Sequence, residues 1–402
     1  MRPVNETASQ VLEYLRRRQE EMGDLLCDLA RLESPSHDPA SQEPVFARLA
    51  EELEATGLRV RRLPGRRTGG QLWAARRQRR RGAPAQLLLG HCDTVWPAGT
   101  LERMPVELRD GRLSGPGVYD MKGGLVQGIF ALRALRDLGL EPEVEPAVFI
   151  NSDEEIGSAE SLSRIERLAR RVCRVFVLEP ALGPAGKLKT RRKGSLRFTI
   201  HVHGRAAHSG LDPEKGASAI QELARVIQAL YGLADPQRGI TVNVGVVSGG
   251  LRANVIAPEA QAELDLRVMG WDDAIRLERT VRELAAATPG TRLEILGGID
   301  RPPLEATPGN RALWQAARRL AEPLGIPLEE GTAGGASDGS FTSRIVPTLD
   351  GLGAVGDGAH ALHEHVVLER SPERASLLAL LLLEPAEGPQ GSVKVLETEN
   401  SL

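Results

Sequence analysis

His91 and Asp93 stand two residues apart in GHCDTV, directly after the apolar segment QLLLG (86–90). That segment predicts a short buried strand, and residues two apart on a strand project to the same side. Cys92 projects to the other side and is expected to pack. A histidine with a nearby carboxylate is a common metal-ligand pair, although this motif taken alone favours a histidine that is merely hydrogen-bonded at a sheet edge.

Carboxylates follow in two further motifs. Asp120 in GPGVYDMKGG stands just before a helical pattern, either as a helix N-cap or as a ligand. NSDEEIGS places three consecutive acids, at 153–155, after the apolar strand VEPAVFIN (144–151). Such acids repel one another unless a cation or an ordering partner compensates them. Adjacent carboxylates can divide their tasks, one binding a metal while its neighbour faces the bound water.

Two more candidates lie later in the chain. Glu179 ends the apolar strand RVFVLE (174–179), and His360 lies in the loop-like segment GLGAVGDGAHALHEHV. Ligands of open α/β sheets bind at the carboxyl ends of strands, so these segments are expected to converge on one crevice. One aspartate, two glutamates and two histidines are the oxygen and imidazole donors that suit zinc.

The elements that must position these residues predict an α/β protein of two domains. A chain of 402 residues exceeds the size at which one hydrophobic core stops growing. Helical patterns at 43–57 and 122–138 alternate with the buried strands, which indicates a mainly parallel sheet. From 194 to 303 the order becomes βαββαβ, the ferredoxin-like arrangement. We therefore expect a main domain (1–193 and 304–386), an inserted domain (194–303) and a loosely ordered tail (387–402).

The amino-acid composition limits the kinds of molecule that the protein is expected to bind. The formal net charge of −3 gives no broad attraction to nucleic acid or an anionic membrane, which favours a small molecule or peptide as substrate. The Arg-rich stretch 76–81 is expected to be a solvated loop. Three scattered cysteines predict no disulfide framework, and neither a signal peptide nor a membrane-spanning run is evident, so we expect a cytoplasmic protein.

Six motifs in order carry a family resemblance: GHCDTV, GPGVYDMKGG, NSDEEIGS, a glutamate ending a strand, GRAAHSG and GAHALHEHV. Together they resemble, over almost the whole chain, the co-catalytic zinc peptidase family of glutamate carboxypeptidase, acetylornithine deacetylase, succinyl-diaminopimelate desuccinylase and aminoacylase. The resemblance implies a zinc-exopeptidase catalytic domain with an inserted ferredoxin-like lid and dimerisation domain, two Zn²⁺ per subunit and a homodimer. Cobalt or manganese also suits such donors.

The resemblance implies two metal positions that share one carboxylate. His91, Asp120 and Glu179 would hold one ion, and Asp120, Glu155 and His360 would hold the other.

The remaining roles concern catalysis. By the same resemblance, Asp93 would orient His91, Glu154 would act as general base, and His208 in GRAAHSG would reach the substrate carbonyl from the lid, often in the other subunit. A surface or capping histidine is the alternative for His208.

The resemblance also implies how the substrate binds. Asn254, Arg267 and Arg301 resemble residues that hold the carboxylates of the released amino acid; an exposed arginine on the lid is the alternative for Arg301.

The expected activity is cleavage of the amide before a C-terminal residue. A small-acyl deacylase is the alternative, and a silent binding protein on the same fold would be expected to have lost a ligand, whereas none is missing.

Overall fold

The computed structural model describes residues 4–77, 80 and 82–386. The predicted tail (387–402) and part of the Arg-rich stretch lie outside the described residues. The α-helices of the described part are α1 (Val4–Arg16), α2 (Gln19–Arg31), α3 (Pro39–Ala55), α4 (Gly123–Asp137), α5 (Leu162–Ala169), α6 (Ala219–Tyr231), α7 (Trp271–Arg282), α8 (Pro308–Ala321), α9 (Asp338–Thr342) and α10 (Ser371–Leu383).

The strands of the described part form four sheets. They are β1 (Arg59–Leu63), β2 (Gln71–Ala75), β3 (Ala85–His91), β4 (Glu107–Arg109), β5 (Arg112–Ser114), β6 (Glu145–Asn151), β7 (Arg174–Val177), β8 (Leu188–Arg192), β9 (Gly194–His203), β10 (Thr241–Gly249), β11 (Glu259–Val268), β12 (Arg292–Arg301), β13 (Glu330–Ala333), β14 (Thr348–Leu349), β15 (Gly356–Asp357) and β16 (His365–Val367).

The chain divides into two units. Unit 1 comprises Met1–Thr190, Ala306–Ala333 and Ser337–Leu402, and unit 2 comprises Arg191–Glu305 and Gly334–Ala336. In sequence, unit 2 thus interrupts unit 1, and it also takes in the short second segment Gly334–Ala336.

The central sheet of unit 1 is mixed, with the strand order β1-β2-β6-β3-β7-β14. β3 pairs in parallel with both β6 and β7, and β14 pairs in parallel with β7, whereas β2 is antiparallel to both β1 and β6. Five of its six strands therefore run in the same direction and only β2 is reversed, so the expected mainly parallel sheet is observed with one antiparallel strand. β1 and β2 follow one another with a short loop and no crossover helix between them, and that connection requires an antiparallel pair.

Buried strands and helices form the core around this sheet. Every residue of β3 and of β6 is buried, and α4 packs against α10, α2 and β3. The apolar run at 377–383 belongs to α10, whose residues 377–382 are all buried. Among the described residues, no helix combines the length and the apolar character needed to cross a bilayer.

A close approach at the start of α4 sets the geometry of the strand ends. A Cβ atom on Gly124 would overlap the carbonyl oxygen of Leu178, the residue that follows β7. Only glycine therefore lets the first turn of α4 lie against this strand end. The contact brings the segment before α4, with Asp120, close to the segment after β7, with Glu179.

Unit 2 contains a four-stranded antiparallel sheet in the order β10-β11-β9-β12. Along the chain its elements follow the order β9, α6, β10, β11, α7, β12. Both helices pack against the sheet, on the face where alternate residues of β9 and β11, such as Phe198, Ile200, Leu264 and Leu266, are buried. Its function as a lid or dimerisation domain stays a prediction.

Candidate active site

His91 is the last residue of β3 and is almost fully buried. Its Nδ1 lies 3.1 Å from the main-chain oxygen of Asp93 and 3.4 Å from the carboxylate of the same residue. Because both neighbours of Nδ1 are acceptors, Nδ1 keeps its proton, and Nε2 is the nitrogen that remains for a metal once it is deprotonated. Nε2 lies 3.5 Å from Asp120 Oδ1 and 3.5 Å from Glu179 Oε1.

Asp93 organises the surroundings of His91. Its buried carboxylate accepts hydrogen bonds from Ser36 Oγ (2.7 Å) and from the main-chain N–H groups of Glu154 (3.3 Å) and Glu155 (3.2 Å). Burial raises the pKa of Asp93, but His91 and these donors outweigh burial and hold the pKa below its usual range. Asp93 is therefore an anion that fixes both His91 and the turn carrying Glu154.

A second cluster lies on the other side of Asp120. His360 Nε2 is 3.6 Å from Asp120 Oδ2 and 3.2 Å from Glu155 Oε2. Asp120 thus presents one carboxylate oxygen to His91 and the other to His360, which is the arrangement of a bridging ligand. The peptide bond after Asp120 is cis, and His360 has a φ angle of +61°.

The donor atoms fit metal ions. In a tetrahedral zinc site with bonds of about 2.0 Å, ligand atoms lie about 3.3 Å apart. His91, Asp120 and Glu179 form one group of donors within 4.8 Å of one another, and Asp120, Glu155 and His360 form another. His91 Nε2, Asp120 Oδ1 and Glu155 Oε1 are buried without a hydrogen-bond partner among the described residues. Buried polar atoms require partners, and a cation at each position would supply them.

Crowded carboxylates perturb the titration of the cluster. Burial raises the pKa of Glu155 to about 7, and the Glu155 carboxylate raises the pKa of His360 to about 9. Burial lowers the pKa of His91, but Asp120, Asp93 and Glu179 outweigh burial and raise it well above its usual range. Without a metal, burial and the negative charge of the cluster thus retain protons on the candidate ligands.

Glu154 and Glu155 lie in a short 3-10 turn, Glu154–Ile156. Sequence reasoning missed Asp338, the first residue of α9, whose buried carboxylate accepts hydrogen bonds from Asn151 Nδ2 (2.7 Å) and Ser158 Oγ. These two donors stand on either side of the turn, so Asp338 fixes both of its ends. The only local signal for Asp338 was an acidic residue after a glycine pair, in GGASDGS. The same pattern is typical of a surface turn, so it does not identify a buried acid.

In unit 2, His208 and Asn254 lie on neighbouring loops. Ser209 N donates to Asn254 O (3.1 Å), and both candidate side chains are exposed. His208 Nδ1 accepts hydrogen bonds from the N–H groups of Gly210 (3.1 Å) and Leu211 (3.2 Å). The proton of the neutral ring therefore resides on Nε2, which is free to act as a hydrogen-bond donor.

Arg267 and Arg301 lie at the other end of the same sheet, where both pair in register with Ser195. Arg267 forms a bidentate ion pair with Asp265, through Nε to Oδ1 (2.6 Å) and Nη2 to Oδ2 (2.9 Å). Arg301 is buried. Asn254 precedes β11 whereas Arg267 is near its end, about 25 Å away at the usual rise of a strand. The three predicted anchoring residues thus do not meet within one subunit.

The pKa values predict how metal binding depends on pH. Ligands must lose their protons to bind a metal, so binding at pH 6 to 7 should release protons from His91, His360 and Glu155. Proton release should fall as the pH rises past about 7 and then about 9, and metal affinity should rise over the same range. Calorimetric zinc titrations in buffers of different ionisation enthalpy measure both quantities. Proton release that is constant from pH 6 to 9.5 would contradict this assignment.

Comparison with known proteins supports a family assignment. Residues 87–384 match the model of peptidase family M20/M25/M40. Carboxypeptidase G2 of Pseudomonas sp. (strain RS-16) is 27% identical over 313 residues, covering 77% of this chain and 75% of that protein. Succinyl-diaminopimelate desuccinylase of Paracidovorax citrulli (strain AAC00-1) is 30% identical over 326 residues, covering 74% of this chain and 80% of that protein.

The fold is also similar to that of solved structures. Aminopeptidase PepT from Bacillus cereus ATCC 10987 superposes with a TM-score of 0.73 at 21% identity, covering 91% of this chain and 98% of that chain. Together with the family match, these similarities confirm the resemblance predicted from the motifs and the predicted class of enzyme, a hydrolase that acts on amide bonds. The chain belongs to peptidase family M20/M25/M40.

Proposed function

We propose that this enzyme hydrolyses the amide bond before an amino acid with a free carboxylate, using two metal ions that share Asp120. The observation that carries the proposal is the position of Asp120 between His91 and His360, with one oxygen facing each. The donor set favours zinc, and cobalt or manganese also fits it. The three buried donor atoms without a partner support two cations at this place.

The metals, when bound, polarise the scissile carbonyl and lower the pKa of the attacking water. Glu154 takes the proton from that water and returns it to the leaving nitrogen. Asp93 keeps the proton of His91 on Nδ1, so that Nε2 stays available as a ligand. His208 Nε2–H donates to the oxygen of the scissile carbonyl as negative charge develops there.

The substrate is proposed to be a short peptide or an N-acyl amino acid. The match to a carboxypeptidase supports cleavage before a C-terminal residue, and the match to a desuccinylase supports the alternative, a small-acyl deacylase. Both need a group that recognises a carboxylate, and the guanidinium of Arg267 suits it. The substrate must then replace Asp265 as the partner of Arg267.

We propose the cytoplasm as the location of the enzyme, and we propose that it binds neither nucleic acid nor a membrane.

A homodimer would resolve the separation of the anchoring residues. His208 and Asn254 from one subunit would act together with the metals, Arg267 and Arg301 of the other. β10 is an edge strand of its sheet and exposes Val246 and Val247, which leaves this edge available for pairing with a second copy.

The first test separates the base from its neighbour. Glu154→Ala should retain two metals per subunit and lose roughly a hundredfold or more in turnover, because no group replaces the base. Glu155→Ala should lower metal occupancy, because a ligand is lost. Elemental analysis and kcat measure the two effects. Equal metal loss in both variants, or full activity of Glu154→Ala, would refute the assignment.

The second test concerns the substrate carboxylate. Arg267→Ala removes the cation that would bind the substrate carboxylate and leaves Asp265 to repel it, so this variant should lower kcat/KM by about tenfold without changing metal content. Amidating the substrate carboxylate should impair the wild type far more than this variant. Arg197→Ala is the matched control, because Arg197 also lies beside Asp265 (3.8 Å) but is assigned no substrate contact. Wild-type enzyme that cleaves acid and amide equally well would exclude carboxylate anchoring.

The leaving residue and the acyl group can be read from a substrate panel. N-acyl amino acids with acetyl, succinyl and larger acyl groups, and peptides ending in glutamate, aspartate or a neutral residue, separate a carboxypeptidase from a deacylase. If acidic residues are preferred, Arg301→Ala should selectively erase that preference.

The third test concerns the dimer. His208→Ala and Glu154→Ala are each expected to be nearly inactive, but their mixture should regain activity, because a hybrid dimer contains one site with both residues. Subunit exchange must be verified with differently tagged copies. A monomer in analytical ultracentrifugation, or no recovery after proven exchange, would contradict delivery of His208 by the partner.

A further inference from the structure

Glu364 has an unusual position for an acidic residue. It is fully buried, four residues after His360, and it faces the segment that ends in Asp120. Its Oε1 accepts hydrogen bonds from the main-chain N–H groups of Tyr119 (2.9 Å) and Asp120 (3.0 Å). Its Oε2 accepts hydrogen bonds from the N–H of Gly117 (3.0 Å) and from Trp96 Nε1 (2.8 Å).

These four bonds use a carboxylate fully, because each oxygen accepts two. Glutamine has the same shape but replaces one acceptor by an NH₂ group. In whichever orientation it took, that NH₂ would face two N–H donors, and buried donors would lose their partner. Negative charge and two acceptor atoms are therefore both required at this position.

The bonds join two segments that carry ligands. Asp120 belongs to one segment, and His360 belongs to the loop that leads to Glu364. That loop is tightly folded: Gly358 has a φ angle of +82°, and a Cβ atom there would lie 2.8 Å from the main chain of Glu364. Displacement of Glu364 would consequently shift Asp120 and His360 relative to one another.

The two metal positions depend unequally on this link. His91 ends β3, Glu179 follows β7, and neither bonds to Glu364, so the position they share with Asp120 retains two independently held ligands. The other position takes Asp120 and His360 from the linked segments, and only Glu155 from elsewhere. Loss of the link should therefore affect the second position more.

We propose that Glu364 is a positioning residue that holds Asp120 and His360 in register, and that it thereby sets the affinity of the second metal position. The inference rests on the proposed two-metal function. Glu364 itself binds neither metal nor substrate.

The test is metal affinity measured by titration of the metal-free full chain with zinc against a competing chelator. Wild type should bind two ions. Glu364→Gln should bind the first ion with little change and the second at least tenfold more weakly, in the range typical of lost partners of metal ligands. Glu364→Asp, which keeps the charge but shortens the side chain, should show a smaller loss in the same direction.

Glu33→Gln is the matched control. Glu33 also accepts two main-chain N–H bonds across a loop, from Gly99 (2.8 Å) and Leu101 (3.0 Å), but it holds no candidate ligand. This variant should lose thermal stability without changing either metal affinity. Trp96→Phe, which removes one donor and leaves the three main-chain bonds, should change the second affinity less than threefold.

The outcomes are distinguishable. Wild type that fails to bind two ions would overturn the proposed function. Wild type that binds two ions while Glu364→Gln binds both as tightly would overturn only the role of Glu364. An equal loss at both positions, or loss of the folded circular-dichroism spectrum in both Glu364 variants, would reduce Glu364 to a structural residue and also overturn the proposal.

Discussion

The repulsion among the carboxylates around Asp120 is the constraint on which the site depends. Asp120, Glu155 and Glu179 converge from separate segments, with carboxylate oxygens 3.2 to 3.6 Å from the Nε2 atoms of two imidazoles. In low-dielectric surroundings like charges of this density require compensation. Protons supply it in the metal-free chain, as the raised pKa values of Glu155 and His360 indicate, and metal ions would supply it in the loaded enzyme. Metal binding and the loss of protons from the ligands are therefore thermodynamically coupled.

Three further buried acids hold the segments that carry this cluster in place. Asp93 accepts N–H bonds from the turn of Glu154 and Glu155, Asp338 fixes the two ends of that turn, and Glu364 accepts N–H bonds from the segment of Asp120. Asp93 and Glu364 bond mostly to main-chain groups, and Asp338 bonds to the side chains of Asn151 and Ser158, which are not candidate ligands. The ligand side chains are therefore left available for the metals. The close contact at Gly124 also lets the first turn of α4 lie against the end of β7.

Apolar runs and motif order predicted much of this arrangement. QLLLG and RVFVLE located β3 and β7, and so placed His91 and Glu179 at neighbouring strand ends. Strand β1 was not predicted because its sequence, RVRRL, has no clear apolar pattern. The role of Asp338 and the distance between Asn254 and Arg267 were not predicted for another reason. Each depends on contacts or register between segments far apart in sequence, which local periodicity does not encode.

The ion pair of Arg267 with Asp265 changes how substrate recognition must be understood. A free guanidinium would gain the full strength of a bond to the incoming carboxylate, whereas Arg267, which is paired with Asp265, would have to exchange one carboxylate for another. In the proposed function, the net gain is then the difference between two similar bonds, so Arg267 would contribute less to affinity than to orientation and to the rejection of neutral groups. An amide or ester cannot displace Asp265, because it offers no charge in return. Selectivity for a free carboxylate would thus arise from competition within the enzyme, without requiring very tight substrate binding.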